Sequence, residues 1–236
     1  MSGTAHTVSV VVPTWNEARR LPVLLDALER CSPPPIEVIV ADGGSSDDTA
    51  DVAAGRARLV AAPRGRASQQ NAGARASDGR VLWFLHADSI PPADAVAQVR
   101  SALDRGAPGG CFRITFPDDE RRCHRWLGTI AAGVNARTRV TRKGTGDQGL
   151  FVRRDVFERM GGFPSWPLFE DVALAGGLAR HGRPAVCPGP LVTSARRWMR
   201  QGVVRTMLRM WALRAGFLLG VTPERLARHW HDPPSG

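Results

Sequence analysis

Lysine is almost missing from this chain: of its 32 basic residues only Lys143 is not an arginine. Aromatics are scarce as well, at 6% of residues, and no RNA-binding signature is present. Together these weigh against a nucleic-acid-binding protein, and no nucleic-acid partner is expected. No run of about eighteen apolar residues occurs, and the N-terminus lacks a signal-peptide pattern. The expected location is therefore cytoplasmic, either soluble or peripheral at the inner face of a membrane. Cys31, Cys111, Cys123 and Cys187 show no C-x-x-C spacing, which argues against a zinc site and points to buried thiols rather than disulfides. No G-x-G-x-x-G follows the first apolar run and no G-x-x-x-x-G-K-[ST] occurs anywhere, which weighs against dinucleotide-binding and P-loop chemistry.

What is present is enough apolar material for a real core: 43% of 236 residues, a length that suits one large α/β domain better than two. The continuous β-branched run TVSVVV (Thr7–Val12) reads as a strand covered on both faces. Glu17–Arg30 follows as an amphipathic helix carrying Leu21, Leu24, Leu25 and Leu28. IEVIVA (Ile36–Ala41) reads as a second strand, then DGGSSDDT with a serine able to cap a helix over Ala50–Ala54. Arg58–Ala61 and Arg80–Leu85 read as strands, with Ala67–Ala76 and Pro92–Arg105 as helices between and after them. That alternation implies a mostly parallel sheet flanked by helices. Beyond it, Gly110–Phe116 and Leu150–Arg153 read as strands, Cys123–Val134 as a helix, and RTRVTRKGTGDQG as a loop.

In an open parallel sheet, ligands gather beyond the carboxyl ends of the strands. PTWNE, DGGSSDDT and HAD follow three such strands, and each supplies groups that can bind an oxygen-rich ligand. The charge is also uneven. Residues 1–118 hold 12 basic and 13 acidic groups, whereas residues 119–236 hold 20 basic and 9 acidic groups. The second half is therefore expected to meet something anionic: phosphates, nucleic acid or a membrane surface.

The segments SVVVPTWNE, VIVADGGSSDDT, GRASQQNAGARASDG and VLWFLHAD resemble the nucleotide-sugar half of a family 2 glycosyltransferase with the GT-A fold. GDQGLFVRRDVFERMGGF, LFEDVALAGGLARHG and SARRW resemble its acceptor half, in order, over roughly residues 7–200. The GDQ, ED and SARRW forms are most similar to small stand-alone transferases found beside radical-SAM and arsenosugar genes. The resemblance implies a nucleotide-sugar-binding half (1–106), an acceptor and catalytic half (107–198), and a basic amphipathic C-terminal helix and tail (199–236).

It also implies roles. Asp42 would contact the base of the nucleotide, alone because Gly43 stands where a second aspartate is common; forming a turn is its other reading. Thr14 and Glu17 would line the nucleoside pocket, and Arg66 and Asn71 would border base and ribose. HAD takes the place of a D-x-D, so Asp88 would bind Mg²⁺ or Mn²⁺ against the donor diphosphate. His86 would touch ribose, tilt the metal preference, or simply end the strand. Asp171 would be the base and Glu170 its orienting or acceptor-binding partner, at a helix start that favours carboxylates. Asp147 would meet donor sugar or acceptor, and Arg196, Arg197 and Trp198 would neutralise the diphosphate and wall the acceptor.

The implied activity is an inverting, metal-dependent transfer from a nucleotide-sugar donor, UDP-linked by preference, to the hydroxyl or phosphate of an unidentified acceptor. The alternatives are a nucleotidyltransferase with a similar core, for which the Gly-rich, lysine-bearing signature after the first strand is missing, and a non-catalytic polyanion or membrane-surface binder. Near the C-terminus, Val203, Val204, Met207, Leu208, Met210 and Trp211 share one half of a helical wheel opposite Arg205 and Arg209. That helix would either lie on an anionic membrane or pack back on the domain. His229 and His231 are too poor in neighbouring ligands to form a metal site.

Overall fold

The computed structural model describes residues 6–196, 199 and 202–229. Seven strands among them form one sheet: β1 (Val8–Thr14), β2 (Glu37–Asp42), β3 (Arg58–Ala61), β4 (Val81–Phe84), β5 (Gly109–Thr115), β6 (Phe151–Arg153) and β7 (Ala185–Val192). Their spatial order is β3-β2-β1-β4-β6-β5-β7. β1 pairs in parallel with β2 and β4, and β2 with β3. β6 runs antiparallel to both its neighbours, β4 and β5, while β5 and β7 are again parallel. The sheet is thus mostly parallel, as the alternation implies, and its one reversed strand joins the two sequence halves.

The helices are α1 (Leu21–Glu29), α2 (Thr49–Ala53), α3 (Arg66–Ala76), α4 (Ala95–Asp104), α5 (Asp118–Cys123), α6 (Trp126–Thr141), α7 (Arg154–Arg159), α8 (Glu170–Leu178), α9 (Val203–Leu218) and α10 (Pro223–Ala227). Side chains alternate between the two faces of β1, so one face gathers Val8, Val10 and Val12 with the leucines of α1 and with Val96 and Val99 of α4. The opposite face gathers Val11, Ile39 and Phe84 with α3, α7 and α8. α3 lies close to the sheet because residue 73 is glycine: a Cβ there would come within 2.4 Å of Val11 Cγ1.

Three element boundaries differ from expectation for identifiable reasons. α1 begins at Leu21 because Asn16 takes a left-handed backbone (φ 55°) and the Glu17 carbonyl accepts the Arg20 and Leu21 N–H groups in a turn. α6 runs on to Thr141, since Thr138 continues the buried stripe of Leu127, Ile130 and Ala131; Arg142 (φ 57°) then ends it. No serine caps α2; the Asp47 side chain accepts the N–H groups of Thr49 and Ala18. All four cysteines are free thiols, three of them buried, but Cys123 is exposed. Burial pushes Cys111 and Cys187 up to about 12, which leaves both inert at neutral pH.

The C-terminal helix divides the apolar set expected to act together. Met207 packs against the cluster of Ile114, Phe116, Leu127 and Ile130, and Leu213 is buried with Leu168 and Leu226. Leu208 and Trp211 remain 59% and 65% exposed.

Candidate active site

The register of the sheet brings the polar strand ends together. Thr14 at the end of β1 lies beside Asp42 at the end of β2, and Phe84 of β4 lies beside Val11, so HAD emerges next to PTWNE. Asp42 is fully engaged there. Its Oδ1 accepts the hydroxyls of Thr14 (3.2 Å) and Ser45 (2.5 Å), and its Oδ2 accepts the N–H groups of Gly44 (3.0 Å) and Ser45 (2.8 Å). A carboxylate has about four lone-pair sites, so Asp42 shapes the DGGSS turn here, and contact with a base would displace one of these donors.

Several residues that hold this end were not singled out from sequence. Gln69, buried in α3, donates to the carbonyls of Thr14 (2.6 Å) and Ala41 (2.9 Å), pinning β1 and β2 together at their tips. Asn16 accepts the Ser46 N–H and donates its own N–H to the Ser45 hydroxyl. Arg64 lies 3.5 Å over the Trp15 ring, a cation–π contact at the rim. Asn71, expected beside base and ribose, uses both ends of its amide on the backbone of Phe163, donating at 2.8 Å and accepting at 3.0 Å. It therefore clamps α3 to the GGFP loop.

Asp88 sits beyond β4 with 26% of its side chain open to solvent. Burial, reinforced by the negative charge of Glu17 and against the pull of Arg20, pushes its pKa up to about 6; Asp147 also raises it. Glu17 is itself paired with Arg20 at 2.7 Å. Arg196 Nη2 lies 3.3 Å from Asp88 Oδ2, so the arginine expected at the diphosphate does meet the expected metal carboxylate. Arg197 and Trp198 lie outside the described residues. Among the described residues no three His, Cys, Asp or Glu side chains converge to form a metal cage. A hard cation such as Mg²⁺ or Mn²⁺ commonly uses one or two carboxylates and takes its other ligands from phosphate and water. Asp88, among neighbouring carboxylates and at a strand tip, fits that mode.

The second carboxylate centre is built by α8. Phe169 precedes it in a left-handed backbone (φ 67°), a conformation costing about 1–3 kcal/mol in a bulky residue, and its ring is held 4.9 Å from Phe217 of α9. The turn places Glu170 and Asp171 in the first helical positions. Glu170 is buried and lies 3.5 Å from Arg66 Nε, so Arg66 bridges the α3 side of the site to α8. Burial raises the Glu170 pKa; Arg66 opposes this and Asp171 adds to it.

Asp171 accepts the Gly146 N–H on Oδ2 (2.6 Å) and the Val172 N–H on Oδ1 (2.7 Å). Two backbone donors thus fix its orientation, with lone pairs left over. Gly146 opens the GDQ turn, and a side chain there would press on both neighbours: a Cβ would lie 2.9 Å from His86 Nε2 and 3.3 Å from Asp171 Oδ2. The imidazole of HAD and the carboxylate of ED therefore both flank the same glycine. Asp147, next in the turn, is exposed and accepts the Thr145 hydroxyl at 2.5 Å.

The chain matches the family model described as "Glycosyl transferase family 2" over residues 9–161. Glycosyltransferase AglE of Haloferax volcanii is 26% identical over 179 residues, covering 70% of this chain and 58% of AglE. A PGL/p-HBAD biosynthesis glycosyltransferase of Mycobacterium bovis is 29% identical over 168 residues, covering 66% of this chain and 63% of the relative. The chain thus spans about three fifths of the length of these curated relatives. Among solved structures, a mannosyltransferase from Pyrobaculum calidifontis in complex with GDP-Man and Mn²⁺ superposes with TM-score 0.59 at 22% identity, covering 97% of this chain and 66% of the other. S. aureus TarS 1-349 in complex with UDP-GlcNAc gives TM-score 0.59 at 16% identity, covering 80% and 58%. The fold is that of the GT-A glycosyltransferases.

Proposed function

The chain belongs to glycosyl transferase family 2, and from that premise we propose that it transfers a sugar, with inversion, from a nucleoside-diphosphate sugar to an acceptor hydroxyl. The observation that carries the reading is Asp171, a carboxylate oriented by two backbone N–H groups and set across Gly146 from the HAD strand end. In the reaction Asp171 takes the acceptor proton as the hydroxyl oxygen bonds to the anomeric carbon. The bond from that carbon to the diphosphate oxygen breaks, and its electron pair leaves with the diphosphate. Arg196, already at Asp88, supplies positive charge to the departing group. A divalent cation held by Asp88 would add charge neutralisation at the same diphosphate. Residues 1–106 serve as the donor half and residues 107–198 as the acceptor half.

UDP is the favoured nucleotide. Calorimetric titration with UDP and with GDP, each with Mn²⁺, tests this: UDP is expected to bind at least about tenfold tighter, a gap of about 1.4 kcal/mol. Preference for GDP would replace the donor assignment, and binding of neither would overturn the transferase reading. The finer likeness to transferases beside radical-SAM and arsenosugar genes rests on the short GDQ, ED and SARRW forms and extends the proposal to a small-molecule acceptor.

Peripheral attachment to an anionic membrane is part of the same proposal. No helix among the described residues is long and apolar enough to cross a membrane. α9, however, exposes Leu208, Trp211 and Leu218 along one stripe, and residues 202–229 carry five arginines against one glutamate. Sedimentation with phosphatidylglycerol-containing vesicles should show binding that falls about a hundredfold or more in Leu208→Ala/Trp211→Ala, since each buried side chain contributes about 1.5–3 kcal/mol and each 1.4 kcal/mol is tenfold. Absence of binding by the unmodified protein would remove the membrane from the account.

A further inference from the structure

Two arginines on the α6 and α9 helices form no ion pair with a carboxylate among the described residues. Arg137 of α6 is half-buried; its Nη2 donates only to the Gln148 side-chain oxygen (3.2 Å) and the Thr138 hydroxyl (3.3 Å), and its Nε is buried with no partner among the described residues. Arg214 of α9 is also half-buried and makes no hydrogen bond or ion pair among the described residues. Helix packing brings them together. Met207 of α9 packs on the cluster that contains Ile130 of α6. Arg137 and Arg214 each lie seven residues further along, on those same two faces.

On either side of Arg214, Leu213 packs with Leu168 and Phe217 with Phe169, the residues that lead directly into Glu170 and Asp171. Gln148, the partner of Arg137, closes the turn whose Gly146 N–H binds Asp171. Burial and the Arg214 guanidinium hold Arg137 below the usual arginine range, while Asp147 and Asp171 pull the other way. Two like charges that act on each other in a half-buried site are stabilised when an anion joins them.

We propose that Arg137 and Arg214 form an oxyanion subsite next to Asp171, and that the acceptor is a molecule carrying a phosphate or carboxylate near the hydroxyl it presents. Only the word acceptor rests on the transferase reading; the anion subsite stands on the two arginines. The subsite lies on the α6–α9 side, where Arg137 faces Asp147 and Asp171, whereas Arg196 is paired with Asp88; the two positions are told apart by their carboxylate neighbours.

The test is calorimetric titration of inorganic phosphate, and separately of acetate, into the protein saturated with UDP and Mg²⁺, so that the donor phosphate positions are filled. One of the two anions is expected to bind at millimolar affinity, and the tighter one names the group. Arg214→Gln, which removes the more peripheral guanidinium, and Arg137→Gln should each weaken that binding about tenfold or more while UDP affinity stays within twofold. Thermal melting checks that both variants fold. No anion binding in the unmodified protein, or unchanged binding in both variants, would overturn the proposal. Loss of UDP affinity in the variants would overturn it too, by assigning the arginines to the donor. If UDP itself fails to bind, the donor reading falls, while the same anion titration without nucleotide still decides the subsite.

Discussion

Asp171→Asn is expected to lower the rate of sugar transfer by about 10²–10⁴-fold, the range general-base catalysis contributes, with UDP affinity nearly unchanged. The side chain accepts N–H groups from Gly146 and Val172, one on each oxygen. An asparagine oxygen can keep one of these bonds; its NH₂ must turn against the other N–H, a local cost of about 1–3 kcal/mol. Thermal melting therefore separates a chemical loss from a folding loss. A stable variant with full transfer would show that another group takes the proton, and Asp147, next to Gly146 in the same turn, is then the first to replace. Intact donor binding matters as much as the lost rate, because Asp171 lies in the proposed acceptor half and makes no contact with Asp42 or Thr14 among the described residues.

Asp88→Ala is expected to erase the metal-dependent part of donor affinity, leaving UDP with the same affinity in the presence and absence of Mn²⁺. Removing the carboxylate takes away the one protein group assigned to the cation and leaves Arg196 without its partner there. Unchanged metal-dependent affinity would place the cation elsewhere. The raised pKa of about 6 adds a pH signature. Between the ordinary carboxylate value near 4 and about 6, the folded protein binds more protons at Asp88 than the unfolded chain. Its burial therefore destabilises the fold increasingly as pH rises through that window, by about 3 kcal/mol at most. Without metal, Asp88→Asn should melt near the unmodified protein at pH 4 and above it at pH 7. The reverse trend would mean that Arg196, rather than burial, governs this carboxylate.

Both variants target residues that stood out from the sequence alone, for a simple reason. A carboxylate that closes an apolar run, as Asp88 does in VLWFLHAD, or that opens a helix after a glycine- and proline-rich loop, as Asp171 does, breaks a local pattern. β1, β2 and β4 were legible because continuous apolar runs mark strands covered on both faces. Asp42 shows the limit of the same logic. The sequence offered base contact or turn formation, and three donors from the turn with the Thr14 hydroxyl from β1 occupy its two oxygens.

Other features depend on contacts between distant segments and leave no local trace. β6 is three residues long, and nothing in FVR says that it inserts antiparallel between β4 and β5. Asn71 read as a ligand-side polar residue until its partner, 92 residues away, was in place. Gln69 carried no signal because its task, joining two strand tips, exists only when those tips are adjacent. Arg137 and Arg214 were two among 32 basic residues.

The sequence by itself determined the layered α/β core and the family, and it singled out Asp88 and Asp171, because each is written in short-range patterns of burial and polarity. Only the tertiary structure decided which side chains spend their hydrogen bonds on the scaffold, that His86 and Asp171 flank one glycine, and which arginines are left without a carboxylate partner among the described residues. Those outcomes depend on which surfaces helix packing brings within a few ångströms of each other.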